Sequence, residues 1–183
     1  MKLGAPLLRA VIGPLFVGHG TQKLFGWFEG PGLEGASGMM EKLDRRPGRR
    51  HALAAAVSET AGGALLTLGA LTPVATALLT GSMVTAIRKV HAPKGVWNTQ
   101  GGYEYNAVLI AALTSLASSG PGKPSVDAAR LPWMHGAAWA LGSLAAGVAG
   151  SYLTERPPFN EPEPDAEPSG RFTREHEREP TTA

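Results

Sequence analysis

Five residues could do chemistry inside otherwise apolar stretches of this sequence: His19, Lys23, Glu59, Tyr103 and Glu104. His19 and Lys23 stand four apart in FVGHGTQKLFGWF (16–28), so on a helix they share one face. Glu59 is the only charged residue between Ala52 and Ile87. Tyr103 and Glu104 open a later apolar run as QGGYEYNA. An imidazole, an ammonium, a phenol and two carboxylates, once gathered, could exchange protons or hold a polar small molecule. A carboxylate in apolar surroundings must be neutralised or paired, and Lys23 is the natural partner for Glu59. The plainer reading lets Lys23 snorkel to headgroups and leaves Glu104 in interfacial water.

Other chemistries are set aside by what the chain lacks. It has no cysteine, which removes disulfides, thiolate nucleophiles and zinc or iron–sulfur sites built on thiolates. His19 and His135 fall at opposite ends of apolar runs, and His51 and His91 at loop edges, so neither haem nor a protein-held metal is expected. No phosphate loop, helix-turn-helix or nucleophilic triad is present, and no nucleic-acid partner is expected.

The elements that must position these groups follow from hydrophobic patterning. Apolar residues make up 43% of the 183 residues and charged ones only 17%, below the roughly 25% of a soluble domain. The mean hydropathy of −0.04 hides a split. From Thr154 onward eight acids and four bases alternate with prolines, which predicts a disordered tail over 154–183. The body before it is rich in Ala, Leu, Gly and Val. Ala52–Ile87 would span ~54 Å as one helix, too long for a ~30 Å hydrocarbon core, so it must turn near LGALTPVA (68–75). The candidate spans are 6–28, 52–70, 73–91, 104–120 and 132–153. They lack the charged stripe of a solvated helix, and Trp27, Trp97 and Trp133 fall near span ends. The fold class expected is all-α: a polytopic membrane bundle of four helices plus a fifth.

Basic residues concentrate in the first and third loops, which predicts those loops on the cytoplasmic side and the tail with them. His19, Lys23, Glu59, Tyr103 and Glu104 then share one half of the bilayer. Gly62 and Gly63, beside Glu59, allow close helix approach, as would Gly142–Ala146–Gly150 in the last run. FGWFEGPGLEG and GVWNTQGGYEY read as irregular loops that could lid the polar cluster.

HGTQKLFGWFEGPG, ETAGGALLTLGALTP, and GGYEYN followed by SSGPGKPSVD together resemble the DoxX family of small bacterial membrane proteins, over roughly residues 5–127. The resemblance implies four transmembrane helices in the bacterial cytoplasmic membrane and association with membrane redox systems. Relatives are described as small subunits of quinone-linked sulfur oxidation or partners of oxidative-stress enzymes. His19, Lys23, Glu59, Tyr103 and Glu104 are the positions that carry over. The fifth apolar run and acidic tail depart from the family pattern.

The leading functional expectation is an accessory or quinone-interacting subunit of a membrane oxidoreductase, rather than a stand-alone enzyme. Its partners would be the lipid bilayer, membrane or soluble oxidoreductases, and further copies of itself in a homo-oligomer. The alternatives are a small proton-linked transporter using Glu59 and Lys23, and a membrane scaffold recruiting soluble enzymes through its basic loops and acidic tail.

Overall fold

The computed structural model describes residues 3–161. Among these residues the fold is all-helical, with seven α-helices and no strand: α1 Gly4–Phe25, α2 Gly32–Lys42, α3 Gly48–Leu68, α4 Thr72–Ala86, α5 Glu104–Ser119, α6 Val126–Arg130 and α7 Ala137–Leu153. The five apolar runs form α1, α3, α4, α5 and α7. A turn of π-helix, Ile87–His91, continues α4 toward the third loop. The core is a file of large residues, including Ile12, Phe16, Leu66, Leu79, Leu113 and Leu116.

Small residues set the helix spacing. α1 and α3 run antiparallel with backbones nearly touching: a Cβ on Gly20 would stand 2.1 Å from Thr60 Oγ1 and 2.7 Å from the Ala56 carbonyl oxygen. Gly63 meets the Gly13 carbonyl oxygen in the same way, while Gly62 faces Leu79 of α4. On the other flank α4 packs against α7 and α5. There the tight residue is Gly147, against the Ala77 carbonyl oxygen and Thr80, whereas Gly142 and Gly150 have no such neighbour. The four-residue spacing in α7 thus pointed at the wrong face.

The surface is apolar where a soluble bundle would be charged. Leu7, Val11 and Leu15 of α1, Val108 of α5 and Leu141 of α7 are exposed, while Thr72, Thr76 and Thr80 are fully buried along one side of α4. Thr76 donates to the Leu113 carbonyl oxygen and Thr85 to Ser151 Oγ, linking α4 to α5 and α7. Nevertheless, among the described residues no helix is long and apolar enough to cross a membrane. α4, α5 and α7 have only 15, 16 and 17 residues. The longer α1 and α3 include Arg9, Lys23 and Glu59.

Two loop expectations change. The irregular part of FGWFEGPGLEG ends early, because Gly32 and Gly35 belong to α2, which lies across α1 and α3. Disorder does not begin at Thr154: residues 154–160 turn back, and the Glu161 N–H donates to the Arg46 carbonyl oxygen at 2.8 Å. The rest of the expected tail lies outside the described residues.

Candidate functional site

Both ends of the bundle bury charge. At the end where α1 begins, Arg9 donates to the carbonyl oxygens of Pro121 and Pro124 at 2.9 and 2.8 Å. Asp127 accepts from the Leu71 and Thr72 N–H groups and the Thr72 hydroxyl at 2.7, 2.8 and 2.6 Å. Leu71 is held at φ 46°, a left-handed conformation that a leucine rarely adopts unaided, and Thr72 and Pro73 then start α4. These charges bind backbone and fix loops. Sequence reasoning passed over Asp127, which stands in the first turn of the short α6, between two apolar runs.

At the other end lies the pair foreseen from sequence. Lys23 Nζ is 2.5 Å from Glu59 Oε2 and also donates to the His19 carbonyl oxygen at 3.3 Å. The Glu59 side chain is 9% exposed and that of Lys23 23%, so the carboxylate is the committed partner and the ammonium keeps an outlet. Glycine at position 20 seats α1 against α3 and so brings Lys23 within reach. The remaining candidates go elsewhere. The His19 side chain is exposed, and only its carbonyl joins the site. Glu104 accepts from the Asn98 N–H at 2.9 Å, ordering its own loop. Tyr103 lines a separate open groove between α5 and α7. Tyr103, Glu104 and the loop at 95–102 therefore neither join nor cover the Lys23–Glu59 pair; α2 does.

Lys23 and Glu59 line a cavity of about 380 Å³ bounded by α2, α3, α4 and α7. Its walls are mostly small and apolar, among them Ala54, Ala55, Ala77, Leu78, Val90 and Gly150, with hydroxyls from Ser58, Ser82 and Thr85. Arg45, His51 and Lys89 also face it. Residues 16–92 thus supply all the walls except those from α7 and Thr154.

The family model for DoxX matches residues 4–92, from the start of α1 through the π-turn that follows α4. Residues 4–92 form a DoxX domain. No curated protein and no solved structure matches the chain. The DoxX domain holds Lys23, Arg45, His51, Glu59 and Lys89, so the ionisable groups lining the cavity belong to it, and α7 and Thr154 complete the wall from outside the matched segment.

Arg45 is the centre of the polar rim of the DoxX cavity. Its Nε and Nη2 lie 3.2 and 3.0 Å from His51 Nδ1, Nη2 donates to Thr154 Oγ1 at 2.9 Å, and Nη1 reaches Glu155 Oε1 at 3.3 Å. Since a guanidinium only donates, His51 Nδ1 must accept, and Nε2–H donates to Asn160 Oδ1 at 3.0 Å. Burial and then the Arg45 cation push the His51 pKa below its ordinary value. Burial lowers the Arg45 pKa too, against the opposing pull of Glu155. Glu155 also meets Arg88 at 2.6 Å and Lys89 at 3.4 Å. Sequence reasoning missed this rim because it assigned Glu155 to the tail and used the basic loops to orient the chain. The available signal was a carboxylate two residues past an apolar run, on the same side as Arg88 and Lys89.

Proposed function

We propose that the chain is a membrane-embedded accessory subunit of an oxidoreductase or redox-stress system and that its cavity takes a lipophilic quinone. The observation that carries this reading is the Lys23–Glu59 ion pair in a cavity of about 380 Å³ whose walls are mostly small and apolar. That volume lies within the ~300–1,000 Å³ of small-molecule sites, which pair apolar walls with a few polar groups. A quinone needs donors to its carbonyl oxygens and a group that exchanges protons. Lys23 and the Ser58 and Ser82 hydroxyls are among the donors that line the cavity, and Glu59 is the proton carrier. The quinone supplies the electron chemistry when bound, and a partner oxidoreductase supplies the electrons.

Membrane residence is part of the proposal. It is supported by the DoxX domain, by exposed Leu7, Val11, Leu15, Val108 and Leu141, and by threonines and charges turned inward. α4 with its π-turn, Thr72–His91, approaches the ~20 residues that a bilayer requires. The basic loops and Glu155 would then lie on the cytoplasmic side.

The test is the quinone content of protein purified from its native membranes in mild detergent, by extraction and mass spectrometry. The full chain should retain quinone, and Glu59→Gln should lower its occupancy about tenfold, the loss of roughly 1.4 kcal/mol. Wild-type protein that carries none, and takes up none from quinone-doped micelles, would sink the proposal.

A further inference from the structure

One carboxylate, Glu155, serves three cations, of which Arg45 and Lys89 line the cavity and Arg88 lies beside them. Glu155 Oε1 faces Arg45 at 3.3 Å and Lys89 at 3.4 Å, and Oε2 faces Arg88 at 2.6 Å. The Arg45 side chain is only 5% exposed, and those of Arg88 and Lys89 are 24% and 28% exposed. His51 touches Arg45 as a neutral acceptor and adds no negative charge, while Lys23 and Glu59 offset each other. The rim therefore carries two positive charges more than its own carboxylate balances. Partly buried charge is costly, and among the described residues nothing else in contact with Arg45, Arg88 and Lys89 is an anion. Arg88 is further fixed from behind, its guanidinium 3.6 Å from the centre of the Tyr152 ring.

This is the arrangement of a phosphate site: two guanidiniums, which match oxyanion geometry in pairs, and one ammonium as a point charge. A carboxylate offers two oxygens to it, and a phosphoryl group offers more. Next to the rim the cavity wall is hydrocarbon, with Ala86, Val90, Ala146 and Gly150. A ligand that suits both parts has a phosphoryl head and an aliphatic body.

We propose that Arg45, Arg88 and Lys89 form a binding site for the phosphoryl headgroup of an anionic membrane lipid, and that Glu155 occupies this site as a tethered stand-in which the lipid displaces. The carboxylate sits two residues beyond α7, on a segment held by Asn160 and by the Glu161–Arg46 backbone bond, so its release needs no helix to unfold. The headgroup takes the rim, and its first carbons lie against Val90 and Gly150. The lipid enters a region of the cavity apart from Glu59, which is eight residues and about 12 Å along α3 from His51. This inference rests on the membrane residence proposed above but not on the quinone.

Native mass spectrometry of the full chain in mild detergent tests the inference, with phosphatidic acid, phosphatidylcholine and inorganic phosphate added separately. Phosphatidic acid should be retained about tenfold more than phosphatidylcholine, the value of one charge-assisted contact. Glu155→Gln, which removes the competitor, should raise its retention, and Lys89→Gln should lower it by about tenfold. Lys89 is accessible enough for that variant to fold, so the inference stays testable if Glu155→Gln does not. Equal retention of the two lipids, unchanged retention in Lys89→Gln, or displacement of the lipid by inorganic phosphate at equal concentration would each overturn it. Quinone content measured in the same samples separates this failure from that of the proposed function.

Discussion

The two ends of the bundle bury charge in opposite ways. At the end where α1 begins, Arg9 and Asp127 spend their hydrogen bonds mainly on backbone: two proline carbonyls for one, two N–H groups and the Thr72 hydroxyl for the other. At the end where α7 finishes, Lys23, Arg45, Arg88 and Lys89 are answered by carboxylates, an imidazole and hydroxyls, beside a cavity. A backbone partner cannot leave without unfolding its loop. A side-chain partner can rotate away or be replaced. Charge satisfied by backbone is therefore a staple, and charge satisfied by side chains at a cavity is an exchangeable site.

The largest test of that contrast is at the staple. Asp127 is 1% exposed, and Asp127→Ala leaves the Leu71 and Thr72 N–H groups without their acceptor and Leu71 without support for its left-handed φ. The expected cost is about 3–5 kcal/mol, as for breaking other buried charge networks, read from unfolding in detergent. Folded Asp127→Ala protein should keep its quinone and lipid occupancy. Loss of occupancy in fully folded protein would break the separation between the two ends. Gly20→Val comes next, because its side chain must displace Thr60 and the Ala56 carbonyl between α1 and α3. It should cost about 1–3 kcal/mol and, unlike Asp127→Ala, lower quinone occupancy, since the shift in α1 carries Lys23 from Glu59.

How much of this was legible in the sequence follows the same division. The apolar runs showed all five long helices, because burial along a helix leaves a continuous hydrophobic record. Lys23 with Glu59 was legible because each is the rare charge in its run, and rarity in an apolar stretch forces a partner. Gly62 and Gly63 were legible from their position beside Glu59, but Gly147 was not: choosing it over Gly142 and Gly150 needs the rotation of α7 about its axis. Tyr103 and Glu104 were grouped with the site by depth along the bundle. Depth says nothing about which side of the bundle a helix occupies, and α5 touches α1 only lightly and contributes nothing to the cavity wall. Asp127 and Glu155 were not legible as partners, because the groups they bind are distant in sequence and composition carries no record of pairing.

The Lys23–Glu59 pair allows a finer cut. Glu59 is nearly enclosed while Lys23 keeps some access to the outside, so the single substitutions should not cost the same. Lys23→Met strands a buried carboxylate, and Glu59→Leu frees an ammonium that can turn outward. Lys23→Met should therefore be the more destabilising single change, and the double variant should regain about 1–3 kcal/mol over additivity in unfolding titrations. Equal single costs with no coupling would make the pair a surface contact and remove the reason to place chemistry there.

The smallest effect is a pH dependence confined to the exchangeable end. His51 is buried, accepts from Arg45 at Nδ1 and donates to Asn160 at Nε2, and its pKa is lowered first by burial and then by Arg45. A proton on Nδ1 would face the guanidinium and take the place of the lone pair that Arg45 uses. The folded state thus prefers neutral imidazole, and the released chain, with a histidine pKa of about 6.5, takes up the proton as the pH falls. Stability from this contact is present above about pH 6.5 and is lost below it, by at most about 1.4 kcal/mol per pH unit. Hydrogen exchange, corrected for intrinsic rates, should show the Arg46 N–H, which is donated to Asn160, losing protection between about pH 7.5 and about pH 5.5. The Asp127 N–H, which is donated to Gly69, should hold its protection across the same window. His51→Gln keeps an acceptor for Arg45 and a donor for Asn160 without a titrating ring, so it should flatten the response at Arg46. If Arg46 loses protection equally in wild type and His51→Gln, the imidazole is not the group that ties 154–161 to the rim. If Asp127 loses it alongside Arg46, the two ends unfold together and the staple is no firmer than the site.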